Sequence, residues 1–481
     1  MHELPKLHTG LYIDGHWVPA SDRGTFKVSD PATGKVLAEV ADGGIAEARA
    51  AADAAAAALP KWSAVPARER AEILRKVHGL MMERLETLAR IITLENGKPL
   101  SDSRAEVRYA AEFFRWYSEE ACRNLGSLSH APAGGYRIMV QHQPIGVVVL
   151  VTPWNFPAAM GTRKIAPALA AGCTALVKPA SATPLTMLAL AELLEEAGVP
   201  AGVVNIVPSS RSSPLVDHWL HDPRIRLLSF TGSTEVGRTL IKAAADQVLK
   251  TPMELGGNAP FLVLDDADVA AAVDGAMIAK MRNMGEACTA ANRFYAGAGV
   301  YDAFVEAFAE RMRAQKIGHG LDEGTQVGSL VDEATRDKVD ELVQDAVGRG
   351  ARLVCGGSRV PGPGYFYEPT VLADVPLDSR LLAEEIFGPV APIVKADSAE
   401  RMLELANATE YGLVAYVYSG DLARGLKLAE GLEFGMVAVN RGLVSDPAAP
   451  FGGMKQSGLG REGSYEGMQE YMETKYIAVD W

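Results

Sequence analysis

The sequence predicts an α/β protein with two parallel sheets and a small β arm. From residue 145 onward, short apolar runs alternate with helical patterns, as in parallel sheets whose two faces are covered by helices. A second series of apolar runs follows Pro252, which indicates a second sheet. Residues 136–143 and 475–479 are β-like but fit neither series. We expect these two segments to pair in an arm that joins subunits.

The first 120 residues are predicted to be mostly helical. Residues 46–59 are rich in alanine, the best helix former, and Pro60 is expected to end that helix. Residues 69–95 carry apolar side chains at helical spacing, which indicates a helical stretch with one buried face.

The alternating region predicts strands and helices in regular order. Its first series has strands at residues 145–151, 174–177, 203–207 and 227–230, and helices at residues 163–171, 184–197 and 234–245. Its second series has strands at residues 261–264, 293–295, 393–395, 413–418 and 436–439. Sheets of this kind bind ligands in the loops after their strands, so those loops are the candidate sites.

Composition excludes several classes of function. The chain has 481 residues, of which 48% are hydrophobic and 22% charged, as in ordinary globular proteins with more than one domain. A net charge of −13 argues against nucleic-acid or anionic-membrane partners. The most apolar run, residues 145–151, is too short to span a bilayer.

Cysteine and histidine usage predicts a cytoplasmic protein without a metal site. The four cysteines are too few for a disulfide framework. No paired cysteines occur and the nine histidines are scattered, so no metal is expected. The first residues also lack the pattern of a signal peptide.

One cysteine has the surroundings of a nucleophile. Cys288 lies between Ala287 and Thr289, and Arg282 precedes it by six positions. The thiolate is the reactive form of cysteine, and small neighbours with a nearby cation favour access and ionisation. The alternative is a buried structural cysteine, the usual state of a free thiol.

A rigid loop follows the first predicted strand of the parallel series. It reads Thr152-Pro-Trp154-Asn155-Phe-Pro, and its two prolines would hold the Asn155 amide in one direction. Such a donor suits the oxyanion that forms during attack on a carbonyl. The alternative is a turn in which the Asn155 side chain caps its own backbone.

Two further strand ends carry groups that suit a nucleotide. Lys178 and Ser181 follow the second strand of the series and suit ribose hydroxyls or a phosphate. Gly232 and Ser233 lie between a strand and a helix, where helix N–H groups suit a pyrophosphate. A solvated lysine and an ordinary capped turn are the alternatives.

Two acidic residues lie beside turns. Glu254 comes just before the glycine pair at residues 256–257, and a carboxylate with such freedom suits a general base. Glu385 and Phe387 precede a Gly-Pro turn; the carboxylate suits ribose hydroxyls and the ring suits a nicotinamide. For Glu254 the alternative is a surface glutamate before a turn.

Taken in order, six motifs resemble the aldehyde dehydrogenase family. They are TPWNFP, FTGSTEVG, MELGGN, GEAC, EEIFGP and PFGGMKQSGLGREG. The resemblance implies the aldehyde dehydrogenase fold, with a Rossmann-like cofactor domain (residues 1–124 and 145–253) and an α/β catalytic domain (residues 254–467). It also implies a β arm (residues 125–144 and 468–481) for dimer or tetramer assembly.

The resemblance also implies the chemistry. Cys288 would attack an aldehyde to form a thiohemiacetal and then a thioester, Asn155 would stabilise the oxyanion, and Glu254 would activate the hydrolytic water. The implied cofactor contacts are Thr152, Trp154, Lys178, Ser181, Gly232, Ser233, Val236, Leu255, Glu385 and Phe387.

Within the family the chain most resembles the succinate-semialdehyde dehydrogenases. The resemblance lies in TRK at residues 162–164, RN at residues 282–283 and NRGLVS at residues 440–445. In those enzymes two arginines and a serine hold the distal carboxylate of the substrate; here the matching residues are Arg163, Arg282 and Ser445. Guanidinium groups are bidentate donors that suit this task. Glutarate semialdehyde and an uncharged aldehyde are the alternative substrates.

The expected cofactor preference follows from one difference between this chain and its relatives. Relatives that prefer NAD often carry glutamate at the position of Ser181, where the carboxylate repels a 2′-phosphate. Serine removes that repulsion and Lys178 adds attraction, so NADP is expected to be preferred, with NAD as the alternative.

Two other departures lie close to Cys288. Many relatives have glutamine where this chain has Glu286, and a carboxylate there would raise the pKa of the thiol unless it points away or is paired. Many also have a second cysteine where this chain has Ala290, so we expect no adjacent disulfide.

The residues of the motifs disfavour two rival classes of function. A non-catalytic protein on the same fold is disfavoured because Cys288, Glu254 and Asn155 are all present. A cofactor-free cysteine hydrolase is disfavoured because no motif contains a histidine.

Overall fold

The N-terminal region of the chain holds two strand pairs ahead of a helical region. The structure, a computed structural model, describes residues 3–480, so the outermost residues of the predicted domain limits, 1–2 and 481, lie outside it. The strands are β1 (Leu11–Ile13), β2 (His16–Val18), β3 (Thr25–Ser29) and β4 (Val36–Ala41). The helices are α1 (Ile45–Ala64), α2 (Ala67–Glu83), α3 (Leu85–Asn96) and α4 (Leu100–Glu120).

This region corrects the sequence prediction in three places. The four strands were not predicted, because they are short and their exposed residues interrupt the apolar pattern. Pro60 lies inside α1 rather than at its end. A proline removes one helical hydrogen bond, and the burial of Trp62 beyond it offsets that loss. The predicted stretch 69–95 is two helices that meet at Arg84.

The first large sheet has eight strands in the order β19-β11-β10-β7-β8-β9-β1-β2. Its new members are β7 (Val147–Val151), β8 (Thr174–Lys178), β9 (Val204–Ile206), β10 (Ile225–Thr231), β11 (Met253–Glu254) and β19 (Gly458–Leu459). The strands β7 to β11 are parallel, as predicted, whereas β1, β2 and β19 are antiparallel to their neighbours. The helices around it are α5 (Ala159–Ala171), α6 (Leu185–Ala197), α7 (Ser212–Leu220) and α8 (Thr234–Ala244); α7 was not predicted.

Both faces of this sheet are buried. In β7, Val148 and Leu150 belong to one hydrophobic cluster, and their neighbours Val147 and Val149 belong to another. Successive side chains of a strand point to opposite faces, so a continuous apolar run is what a doubly covered sheet requires.

The second large sheet has seven strands in the order β14-β15-β16-β13-β12-β17-β18. They are β12 (Ala259–Val263), β13 (Ala291–Gly297), β14 (Arg352–Cys355), β15 (Thr370–Ala373), β16 (Val390–Ala396), β17 (Val414–Tyr418) and β18 (Met436–Val439). Its pairs are parallel except β14 with β15. The helices of this part are α9 (Val269–Met281), α10 (Tyr301–Arg313), α11 (Glu333–Gly348), α12 (Arg380–Ala383), α13 (Ala399–Asn407) and α14 (Leu422–Gly431). The last helix, α15 (Ser464–Gln469), packs against α4 and α5 instead.

A three-stranded antiparallel sheet forms the arm. It contains β5 (Ser127–His130), β6 (Arg137–Pro144) and β20 (Met472–Val479), in the order β20-β6-β5. The register pairs Tyr476 with Val140. The predicted pairing of the two β-like segments is therefore confirmed. Across residues 3–480, no helix combines the length and the apolar character that crossing a membrane requires.

Candidate active site

A cavity of about 240 Å³ lies among loops from both large sheets. Residues predicted from the sequence supply much of its lining: Trp154, Asn155, Gly232, Ser233, Leu255, Cys288, Glu385 and Phe387. The lining residues that the sequence did not single out include Met160, Thr231, Gly256, Thr335 and Lys338. The last two come from α11, whose approach to the cavity depends on the packing of the second sheet.

Cys288 is half-buried at the cavity, ahead of β13. The glycine-rich loop after β11 lies against its backbone, because a Cβ atom on Gly257 would come within 2.4 Å of the Cys288 carbonyl oxygen. Burial raises the pKa of the thiol to about 12; Arg163 and Arg282 lower it, and Glu254 and Glu385 raise it. The predicted cationic surroundings are therefore present, but they do not outweigh burial.

The side-chain amide of Asn155 faces the cysteine segment. Its Nδ2 atom donates to the carbonyl oxygen of Glu286 at 3.1 Å. The side chain is buried and also lines the cavity. A primary amide has two N–H donors, so one remains for a group bound beside Cys288.

Glu254 lies at the end of β11 and is only 3% exposed. Neither carboxyl oxygen has a hydrogen-bond partner among residues 3–480. Burial raises the pKa of this carboxyl well above its usual value, Glu462 raises it further, and Arg163 lowers it. Glu254 is not among the residues that line the cavity. Its Oε1 atom lies beside Gly452, where an added Cβ would come within 2.9 Å.

Arg282 and Ser445 are in direct contact. The Nη1 atom of Arg282 donates to Ser445 Oγ at 3.0 Å. The guanidinium also lies over the ring of Phe156 at 4.8 Å and that of Tyr109 at 5.6 Å. Both arginine and serine are half-buried, so the structure brings together two of the three residues predicted to bind a carboxylate.

Arg163 is placed differently from the prediction of a free carboxylate ligand. It is 1% exposed in α5, forms an ion pair with Glu462, and lies over the ring of Phe451 at 4.3 Å. Lys164 also pairs with Glu462, at 2.5 Å. Sequence reasoning missed Glu462, because it lies 298 positions from Lys164, inside a glycine-rich motif that carried no sign of a buried ion pair.

Lys178 ends β8 and is 5% exposed. No hydrogen bond or ion pair within residues 3–480 involves its ammonium group. Burial lowers its pKa to about 8, and Asp42 acts in the opposite direction. The Thr152 N–H donates to the Lys178 carbonyl at 3.1 Å, so these two strand ends are adjacent. Thr152, Lys178 and the half-buried Ser181 do not line the cavity.

Ser233 caps α8, as predicted, by accepting from the Val236 N–H at 3.4 Å. The Val236 side chain is exposed and lies outside the cavity lining. The capped helix end nevertheless directs its first N–H groups toward the loop that contains Gly232.

Glu385 and Phe387 meet other predicted residues at the cavity. The Gly257 N–H donates to Glu385 Oε1 at 3.1 Å, and burial raises the pKa of Glu385 to about 7. The rings of Phe387 and Trp154 contact edge to face, with centroids 5.5 Å apart. Phe387 adopts a left-handed backbone, with φ +56°.

The family model for aldehyde dehydrogenases matches residues 17–477. The chain belongs to the aldehyde dehydrogenase family. The family and the fold class inferred from the six motifs are thereby confirmed.

This aldehyde dehydrogenase is 53% identical to a succinate-semialdehyde dehydrogenase of Paenarthrobacter nicotinovorans, over 92% of the chain and 99% of that protein. It is 48% identical to a glutarate-semialdehyde dehydrogenase of Pseudomonas aeruginosa, with 97% of each protein covered. A crystal structure of an NADP-dependent enzyme of Escherichia coli superposes with a TM-score of 0.97 at 48% identity, covering 99% of this chain and 98% of the other.

In this aldehyde dehydrogenase Glu286 points away from Cys288. Its Oε1 atom accepts from the Val331 N–H at 3.0 Å, and burial raises the pKa of the carboxyl well above its usual value. With its carboxyl group turned to Val331, Glu286 leaves the thiol unaffected, although many relatives have glutamine at this position. Ala290 is buried close by, and the absence of an adjacent disulfide stays a prediction.

Sequence reasoning missed the residues that hold the Asn155 loop. The Lys98 ammonium is fully buried and donates to Glu106 at 2.6 Å and to the Asn155 carbonyl at 2.7 Å. The Asn96 side chain donates to the Trp154 carbonyl at 3.2 Å. Both lie in the ENGK segment (residues 95–98). Sequence reasoning did not single it out, because it directly follows a stretch predicted only as an apolar helical pattern. Within residues 3–480 no group of three or more His, Cys, Asp or Glu side chains could hold a metal ion.

Proposed function

We propose that this aldehyde dehydrogenase oxidises succinate semialdehyde to succinate, with NADP or NAD as the oxidant. The contact between Arg282 and Ser445 carries the proposal, because it sets a hydroxyl beside a cation that is close enough to Cys288 to lower the pKa of the thiol. A short acid aldehyde carries its negative charge at the end remote from the carbonyl. Binding that end by charge-assisted hydrogen bonds holds the carbonyl over the thiol.

Arg163 supplies a second positive charge to the same region. Its influence on the pKa of Cys288 is larger than that of Arg282, although it is paired with Glu462. The proposed substrate carboxylate would therefore meet Arg282 and Ser445 directly and share Arg163 with Glu462. This division of roles replaces the three equivalent ligands expected from the sequence.

The first chemical step is attack by Cys288. Its thiolate sulfur forms a bond to the aldehyde carbon, and the carbonyl π electrons move to oxygen, which gives a thiohemiacetal oxyanion. The free N–H of the Asn155 amide and the backbone N–H of Cys288 are the proposed donors to that oxygen. Loss of one such donor typically costs about 10²–10³ in kcat.

The dinucleotide contacts are proposed on the chemistry of the residues present. The buried Lys178 ammonium has no hydrogen-bond or ion-pair partner among residues 3–480, and Ser233 caps a helix start. These two features, with glycine at positions 232 and 256, suit a pyrophosphate and a ribose. The cavity flanked by Trp154, Glu385 and Phe387 suits a nicotinamide ribose. Bound NADP or NAD supplies the hydride acceptor that turns the thiohemiacetal on Cys288 into a thioester.

Glu254 completes the cycle as general base. Its raised pKa makes the ionised carboxylate a stronger base than an exposed one. Gly452 leaves room beside its Oε1 atom. The carboxylate takes a proton from water, whose oxygen attacks the thioester carbon and releases the acid and the Cys288 thiolate.

NADP is the proposed preference, with NAD as the alternative. Ser181 presents no negative charge to a 2′-phosphate, and Lys178 is desolvated beside it on the same strand end. The solved NADP-dependent relative supports this choice.

Domain organisation, assembly and location are also proposals. We assign residues 1–124 and 145–253 to the cofactor domain, residues 254–467 to the catalytic domain, and residues 125–144 and 468–481 to an arm that joins a dimer or tetramer. Strand β19, inside the catalytic range, adds to the edge of the first sheet. A cytoplasmic location rests on the four unpaired cysteines.

Glutarate semialdehyde is the second candidate substrate. It has one more methylene group between its carbonyl and carboxylate, and the Pseudomonas aeruginosa relative is named for it at 48% identity. A single methylene changes selectivity by only about 1–3 kcal/mol, so the two semialdehydes are compared directly in the test.

The proposal is tested with four- and five-carbon semialdehydes and the matching uncharged aldehydes, each with NADP and NAD. We expect succinate semialdehyde to have the highest kcat/KM. Arg282→Met should lower kcat/KM for acid aldehydes by roughly 10- to 150-fold, since hydrogen bonds to charged groups contribute about 1.5–3 kcal/mol. Uncharged aldehydes should be unaffected.

Two control variants accompany this test. Cys288→Ala should abolish dehydrogenase turnover and leave dinucleotide binding intact. Arg313→Met, at an exposed position in α10, should leave every kcat/KM unchanged. An equal loss for charged and uncharged aldehydes in Arg282→Met would contradict the carboxylate-binding role.

A further inference from the structure

We propose that Asn283 is a positioning residue that holds the Asn155 amide and the Cys288 segment in one geometry. The inference rests on the proposed function, in which Asn155 stabilises the oxyanion. Asn283 is fully buried and does not line the cavity. Any effect it has on the reaction must therefore pass through the residues it contacts.

The side-chain amide of Asn283 joins two loops. Its Nδ2 atom donates to the Asn155 carbonyl at 2.9 Å and to the Glu286 carbonyl at 2.9 Å. The Asn155 side chain donates to the same Glu286 oxygen at 3.1 Å. Two of these hydrogen bonds connect the loop after β7 with the segment that ends at Cys288, and the third lies within that segment. Both N–H groups of Asn283 are used.

This arrangement determines which way the Asn155 amide faces. If that amide were reversed, its Oδ1 atom would face the Glu286 carbonyl, and two acceptors would oppose each other. The Glu286 oxygen therefore selects the orientation with Nδ2 toward the Glu286 carbonyl. Asn283, three residues earlier in the same segment, donates to that oxygen and to the Asn155 carbonyl, so the direction of the remaining Asn155 N–H depends on it.

The backbone of Asn283 is adapted to this role. It has φ +52° and ψ +42°, in the left-handed region, which asparagine tolerates better than most residues with a Cβ. Its N–H donates to Asp102 Oδ2 at 2.8 Å. On the other side, Lys98 also donates to the Asn155 carbonyl. The contact between Asn283 and the Asn155 loop is therefore held from two sides. Asp102 of helix α4 binds Asn283, and Lys98 of the ENGK segment binds the Asn155 carbonyl.

The test uses Asn283→Gly, which keeps the left-handed backbone and deletes the amide. We expect kcat to fall by about 10²-fold, the effect of a misplacement near 1 Å. The KM for the aldehyde and the Kd for NADP should stay within about twofold of the wild-type values. The matched control is Asn205→Gly, because Asn205, in β9 of the first sheet, is also fully buried but donates to the Gly202 carbonyl. Its kcat should be unchanged.

A double-substitution cycle separates positioning from general weakening. If Asn283 acts through Asn155, the double variant Asn155→Ala with Asn283→Gly should be about as active as Asn155→Ala alone. Multiplying losses would overturn the inference. A wild-type kcat in Asn283→Gly together with a large loss in Asn155→Ala would also overturn it and leave the proposed function intact. A wild-type kcat in Asn155→Ala would contradict the proposed function itself.

A second variant covers failure of Asn283→Gly to fold, judged by circular dichroism and native mass. Asn283→Asp keeps the shape and the backbone tolerance but places an oxygen against the two carbonyls. The inference predicts the same loss of kcat for it. Wild-type kcat in Asn283→Asp would overturn the inference, since the aspartate cannot supply the two N–H donors.

Discussion

At the scale of single residues, burial raises the pKa of the Cys288 thiol to about 12. Arg163 and Arg282 lower it without reversing that effect, and Glu254 and Glu385 raise it. A raised pKa disfavours the thiolate, which is the form of cysteine that reacts with electrophiles. In the proposed cycle its ionisation accompanies the binding of substrate and dinucleotide.

The pH dependence of alkylation tests this state of Cys288. A group with a raised pKa gains its charged form only as pH approaches that value. The labelling rate by iodoacetamide without ligands should therefore rise about tenfold per pH unit from about pH 6 to 9, without a plateau. Mass spectrometry of the Cys288 peptide measures the rate, and Cys288→Ser provides the blank. A plateau below about pH 8 would contradict a raised pKa.

Lys178 makes the dinucleotide preference sensitive to pH. Its pKa is lowered to about 8, so the free protein loses this positive charge as pH rises through that value. The 2′-phosphate distinguishes NADP from NAD, and the advantage of NADP in Kd should decline above about pH 8. Titration calorimetry from about pH 7 to 9.5 measures both constants. In Lys178→Met the ratio should be smaller and independent of pH; a constant ratio in the wild type would argue against the contact.

At the scale of elements, the ENGK segment ties α3 to both α6 and the Asn155 loop. Glu95 accepts from the N–H groups of Leu185 and Thr186 at 2.7 and 2.9 Å, which are otherwise unpaired at the start of α6. Lys98 and Asn96 hold the carbonyls of the neighbouring loop. One short segment, which begins in the last turn of α3, thus supports a helix start and a candidate catalytic loop.

Replacing Glu95 measures the value of this support. Glu95→Ala leaves buried helix N–H groups without acceptors and should cost about 1–3 kcal/mol of stability, seen as a lower Tm. Glu195→Ala, at an exposed position of the same helix α6, should change stability by less than about 0.5 kcal/mol. Equal Tm values for the two variants would refute the capping role.

At the scale of the whole molecule, the arm exposes apolar surface. Leu128 in β5 is 56% exposed and Tyr476 in β20 is 55% exposed. The register places these two side chains on opposite faces of the arm sheet, since Leu128 pairs with Met139 and Tyr476 with Val140. Exposed apolar side chains on a small sheet suit an interaction surface. In the proposed dimer or tetramer, a second copy of the chain covers this surface of the arm.

Substitution in the arm tests the assembly. A charge on an interface costs more than one on a free surface, so Leu128→Arg should lower the native mass and leave the far-ultraviolet spectrum unchanged. Leu353→Arg, at an exposed position of β14, serves as the control and should not affect the mass. Sedimentation velocity measures both. An unchanged mass in Leu128→Arg would show that the arm does not form the interface.

Elements with a strong local pattern could be predicted, and those without one could not. Strands β7 and β17 are continuous apolar runs, as a doubly covered sheet requires. The first four strands are short, and three of them are partly exposed. The pairing of β1 with a distant strand, Tyr12 with Ile206, leaves no local signal in the sequence. In the candidate site, Cys288 and Asn155 lie in distinctive motifs, whereas Glu462 and Asn283 act through partners far along the chain.

The sequence by itself determined the family, the succession of parallel strands along the chain, and the residue types that can perform the chemistry. Only the tertiary structure decided that Arg163 is paired with Glu462, that Glu286 accepts from Val331 and that burial raises the pKa of Cys288. The physical reason is that charge, hydrogen bonding and desolvation depend on distances between groups that are remote in the chain. Local periodicity reports which residues are close along the backbone. The groups that determine a pKa become neighbours only when the chain folds and buries them together.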